Sequence, residues 1–60
     1  MHDLDRAETY FMRTLERDNR IAAAWYNLGV VYERKGLETE AMRAFDRYLR
    51  LQSGESDVDF

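Results

Sequence analysis

The polar and apolar positions of this chain repeat at helical spacing. Projected at about 100° per residue, Leu4, Ala7, Tyr10, Phe11, Thr14 and Leu15 fall on one face, and Arg6, Arg13, Arg17 and Arg20 fall elsewhere as a stripe. This predicts a first helix over about residues 4–17, with Asp3 placed to cap its free N–H groups and Asp18-Asn19 as the stop and the start of the next cap. A second helix is predicted over about 22–35. Trp25, Leu28, Gly29 and Tyr32 form one stripe, widened by Ala24 and Val31, while Ala23, Tyr26 and Val30 lie on another side beside Asn27 and Arg34. A helix apolar on more than one face must be covered twice, by its own chain or by a partner. Gly36 suits the left-handed residue that ends such a helix. A third helix is predicted over about 37–52, with Leu37, Ala41, Phe45, Tyr48 and Leu49 sharing a broad face with Met42 and Ala44, and Arg43, Arg47 and Arg50 opposite. Gly54 ends it. The implied class is all-α, three antiparallel helices in one unit over residues 1–52, followed by a flexible tail over 53–60.

The chain also aligns with itself at a shift of 34 residues: Ala7 onto Ala41, Phe11 onto Phe45, Leu15 onto Leu49 and Arg13 onto Arg47. A period of that length indicates stacked helical pairs. From Trp25 to Phe45 the sequence reads W-Y-N-L-G-V-V-Y-E-R-K-G-L-E-T-E-A-M-R-A-F. It resembles the tetratricopeptide repeat, W-x2-L-G-x2-Y then A-x3-F then P, with Trp25, Leu28, Gly29, Tyr32, Ala41 and Phe45 all matching at the right spacing. The resemblance covers about residues 3–53, one and a half repeats, the first segment reading as the second helix of a preceding pair.

Two positions depart from the pattern. Tyr48 stands where the repeat has a small residue, as Thr14 does in the first segment, and Ser53 stands near where a proline would close the repeat. We read Tyr48 as a terminating residue that covers the last helix, so that the array ends there. Gly29 carries about 1 kcal/mol of helix propensity cost relative to Ala, which implies close approach of a neighbouring helix on the Trp25 side. Ala41 is the small partner from the other side, and Trp25, Tyr32 and Phe45 supply most of the core volume.

Composition narrows the function classes. At 60 residues with no cysteine, neither disulfide nor thiolate chemistry is available, and a domain this small has marginal stability unless something adds to its core. No apolar run approaches the roughly 20 residues of a membrane span, and the start lacks the apolar stretch of a secretory leader. A cytoplasmic setting is the expectation. Residues 1–52 hold nine Lys or Arg and nine Asp or Glu, so the net charge of −3 resides in the three acids of S-G-E-S-D-V-D-F. That balance disfavours nucleic acid, and solvated surface is the first reading of the arginine stripes. His2 is terminal, Ser53 and Ser56 have no histidine nearby, and no phosphate-binding glycine motif occurs. Neither a catalytic nor a metal or cofactor site is expected. The tail could dock as a short acidic motif ending in an aromatic residue, simple disorder being the plainer reading.

The resemblance implies a noncatalytic module that binds a protein or peptide through the concave face of the second helix. Carried over by position, that face is Ala23, Tyr26, Asn27, Val30, Glu33 and Arg34, with the Asn27 amide suited to hold a ligand main chain. Because the first segment lacks the helix that normally covers it, Tyr10 and Phe11 should be open to a second copy, a dimer most simply. A small homo-oligomeric scaffold built from the same apolar faces is the alternative.

Overall fold

The computed structural model describes residues 3–54. They form three helices, α1 (Leu4–Arg17), α2 (Ala22–Arg34) and α3 (Glu38–Ser53). The acidic tail falls at residues 55–60, outside the described residues, but Ser53 belongs to α3 and Gly54 is its cap, in the left-handed conformation at φ 74°. The helices run antiparallel: Lys35 after α2 reaches Asp5 and Glu8 near the start of α1, and Tyr26 early in α2 meets Tyr48 late in α3. α2 is central, packed against α1 on one side and α3 on the other.

The turns show why the chain reverses where it does. Asp18 ends α1, and its carboxylate accepts the Arg20 N–H at 3.0 Å, a side-chain turn of the kind Asp makes readily. Asn19 acts through its main chain: its carbonyl accepts the Trp25 Nε1–H at 2.9 Å, which pins the turn to α2. The cap position of α2 is Ile21, not Asn19, and Asp3 occupies the cap position of α1 without a side-chain hydrogen bond to it. The Asp3 carbonyl takes the Ala7 N–H instead, at 3.2 Å. The α2–α3 turn is the glycine stop foreseen from Gly36. The Leu37 N–H donates to the Tyr32 carbonyl at 2.9 Å and the Gly36 N–H to Glu33 at 3.0 Å, with Gly36 at φ 81°. This paired pattern satisfies carbonyls that the helix end leaves free.

The innermost residues are small or aliphatic: Leu15, Ala24, Leu28, Val31, Ala41 and Ala44. Trp25, Tyr32 and Phe11 pack against this centre while remaining partly exposed, and Phe45 is likewise only partly buried. The large aromatics therefore ring the core rather than fill it. Three helices form a single layer around α2, and no side chain the size of tryptophan can be sealed on all sides there. Gly29 provides the close approach, but to an aromatic ring. A β-carbon at Gly29 would lie 2.6–2.9 Å from three Phe45 ring carbons.

The outer side of α3 differs from its sequence reading. Met42 and Leu49 are 69% and 60% exposed. Tyr48 does not cover them. It turns toward α2, its ring 5.1 Å from that of Tyr26, and its hydroxyl accepts from Gln52 at 3.2 Å. Leu15, which matches Leu49 across the repeat, is 8% exposed. The difference is the helix packed outside α1, which has no counterpart outside α3 among the described residues. The arginines of α3 also differ from a purely solvated stripe. The Arg47 guanidinium lies 5.1 Å from the centre of the Trp25 ring, and Arg50 bridges Asp46 at 3.0 Å.

Candidate functional site

Ala23, Tyr26, Asn27, Val30, Glu33 and Arg34 fall within about a third of the helix circumference at 100° per residue, so α2 displays them on one face. Val30 is half-buried and the other five are exposed. Tyr26 anchors this face. Its ring lies 5.6 Å from Phe45 and 5.1 Å from Tyr48, spacings at which tilted aromatic pairs attract. It is still 46% exposed, so one side is braced by α3 and the other is open. Asn27, one residue on, presents an exposed amide, and Glu33 and Arg34 add one charge of each sign toward the end of α2.

Tyr10 and Phe11 separate in role. Tyr10 is 65% exposed, whereas Phe11 packs on the core. Their rings meet edge to face at 5.2 Å and 72°, so Phe11 supports Tyr10 more than it offers surface of its own. The Thr14 hydroxyl donates to the Tyr10 carbonyl one turn back at 3.0 Å.

The signature residues have a second consequence that their spacing did not convey. On the side of α2 where α1 and α3 rise as walls, an apolar cleft of about 330 Å³ opens. Trp25, Leu28 and Tyr32 form its floor, Met12 and Leu15 one wall, and Ala44 the other, with Glu16, Glu40 and Arg43 also lining it. The pairing of α1 residues with α3 residues across α2 is a tertiary fact, so no linear motif announces it. Tyr32 is held at one end, its hydroxyl donating to Met12 Sδ at 3.9 Å. Burial, and then the nearby carboxylates of Glu8 and Glu40, push its phenol above the usual range.

An ionic clasp closes α1 onto α2. Lys35 Nζ donates to Asp5 Oδ1 at 2.7 Å and to Glu8 Oε1 at 2.5 Å. Its hydrogen bonds to both carboxylates raise the ammonium above the ordinary lysine range. The Asp5 carboxyl is lowered by the same hydrogen bond and by the lysine charge. Three residues spread over α1 and the α2–α3 turn make this contact, and nothing in their spacing marks them.

A layer of antiparallel helices repeating at 34 residues, with an exposed face on the central one, defines a helical-repeat scaffold. The family model for the tetratricopeptide repeat matches residues 1–56, and the chain belongs to that family. Its repeats are generally noncatalytic and serve protein–protein interaction. No curated protein and no solved structure matches the chain. Among the described residues, no helix is long and apolar enough to cross a membrane.

Proposed function

We propose that this chain is a noncatalytic interaction module that holds an extended peptide or a partner helix on the face of α2 carrying Ala23, Tyr26, Asn27, Val30, Glu33 and Arg34. The observation that carries the reading is Tyr26. An aromatic ring braced on one side by two others and open on the other has little side-chain entropy to lose on binding, and it lies beside an exposed amide that can donate to and accept from a peptide main chain. A single repeat offers a short groove, so affinity is expected in the micromolar range (about −8 kcal/mol).

Selection of a random dodecapeptide library on the wild-type chain, followed by anisotropy titrations of the enriched peptides, tests it. Asn27→Ala should weaken binding roughly tenfold, about 1.4 kcal/mol, and leave the helical circular dichroism unchanged. Peptides that bind the Asn27→Ala and Val30→Asp variants as well as wild type would place the site elsewhere.

Self-association is the second reading, and the exposures of Tyr10, Met42 and Leu49 favour it. A three-helix layer with Tyr10, Met42 and Leu49 more than half exposed among the described residues gains stability by mass action when a second copy covers them.

A further inference from the structure

We infer that the acidic segment over residues 55–60 folds back along α3 and fills the cleft over Trp25, Leu28 and Tyr32, with Asp57 and Asp59 paired to Arg47 and Arg43 and with Val58 and Phe60 on the apolar floor. The cleft is then closed from within the chain. The peptide face of Tyr26 and Asn27 lies on another side of α2, and the inference does not rest on it.

The first argument is a pair of cations beside the cleft. Arg43 and Arg47 are exposed and border Trp25 together, the Arg47 guanidinium lying 5.1 Å from the ring centre. Among the described residues neither arginine forms a salt bridge. Asp46 borders the same hollow, but Arg50 already holds it at 3.0 Å. Two residues four apart on a helix stand about 6 Å from each other along its axis. In E-S-D-V-D-F the acids Asp57 and Asp59 are two residues apart, about 6.7 Å in extended chain. Extended chain also sends Ser56, Val58 and Phe60 to the side opposite the acids, so the segment offers carboxylates to α3 and apolar groups to the cleft.

The second argument is reach. Gly54 ends α3 in the left-handed conformation, which turns the chain off the helix axis. Counted back from Gly54 at the helix rise, Arg47 and Arg43 lie about 10 and 16 Å along α3. Counted onward at the strand rise, Asp57 and Asp59 lie about 10 and 17 Å along the segment. The acids and the arginines therefore meet level for level, and Phe60 arrives, about 20 Å on, at the level of Glu40 and the Tyr32 end of the cleft. The acids lining the cleft do not oppose this. Glu16 stands on the α1 wall, away from the arginines, and Glu40 falls level with Phe60, which presents no side-chain charge there.

Attachment decides between this segment and the same segment of a second copy. A short tether holds its end at an effective concentration in the millimolar range, so a contact too weak to join two micromolar chains is still made within one.

The test is NMR on the isotope-labelled 60-residue chain. At low salt, wild type is expected to show nuclear Overhauser contacts from the Phe60 ring to Leu28 and Tyr32. The double variant Asp57→Asn, Asp59→Asn should lose them and keep its helical dichroism, since both positions lie outside the three helices. Salt at 1 M, with a screening length of about 3 Å, should weaken them in wild type. A mixture of labelled and unlabelled chains gives the source: contacts within one chain support the inference, and contacts only between chains would overturn it in favour of exchanged segments. Contacts that survive in the double variant would overturn the pairing with Arg43 and Arg47. A wild-type chain without them would overturn the inference outright and leave peptide binding at Tyr26 and Asn27 untouched.

Discussion

Gly29→Ala sets two effects of opposite sign against each other. In an isolated helix the change is favourable by about 1 kcal/mol. Here the added methyl would sit 2.6, 2.7 and 2.9 Å from three ring carbons of Phe45, well inside the roughly 3.5 Å at which carbons begin to attract. Tyr26 stands 5.6 Å from that ring and leans in turn on Tyr48, so moving Phe45 disturbs the whole aromatic row. Relief requires α2 and α3 to part or the aromatic row to shift. Overpacking of this kind costs up to about 3 kcal/mol, so the net loss is about 1–2 kcal/mol after the propensity gain. For a domain this size each kcal/mol moves Tm by about 4–8 °C, and the melt should fall by roughly 5–15 °C. Thermal unfolding followed at 222 nm, at a fixed chain concentration so that any association is held constant, measures it. Phe45→Leu in the same background should recover part of the loss, a coupling that a double-mutant cycle isolates. A Gly29→Ala melt raised by the several degrees that propensity alone predicts would refute the reasoning, for it would mean that the Phe45 ring does not lie over this glycine.

Two further expectations concern contacts that hold the helices in place. Trp25→Phe keeps an aromatic over the core but deletes the 2.9 Å hydrogen bond from Nε1 to the Asn19 carbonyl; denaturant unfolding should show a loss of about 1 kcal/mol, and the Asp18–Ile21 turn should gain amide exchange. Lys35→Gln removes the clasp between α1 and α2. Because Asp5 is held below its ordinary value of 3.8, the stability it contributes is present above that pH and is lost as pH falls through the lower folded value. Wild type and Lys35→Gln should therefore differ in Tm at pH 7 and converge in strong acid. High salt should narrow the gap at pH 7, since the pair is near the surface. A gap unchanged at pH 2 would show that the lysine acts through packing instead.

The helices, their order and the family could be read from residue spacing because each depends on local or short-range physics. The three-and-four pattern of Trp25, Leu28, Gly29 and Tyr32 makes a helix whatever surrounds it, and Gly36 ends that helix because only glycine takes φ 81° without strain. The candidate face on α2 was legible for the same reason, since residues on one helix keep their relative positions. What neighbours do to a side chain was not legible. Leu15 and Leu49 are the same residue type in the same register of the repeat, yet one is buried and the other exposed, because burial depends on whether another helix lies outside. Arg47 over Trp25, the Lys35 clasp and the cleft between α1 and α3 likewise join residues that no periodicity connects. Amphipathic spacing determined which way each helix faces; only packing in three dimensions decided which of those faces were covered, because accessible area belongs to the arrangement of helices and not to any one of them.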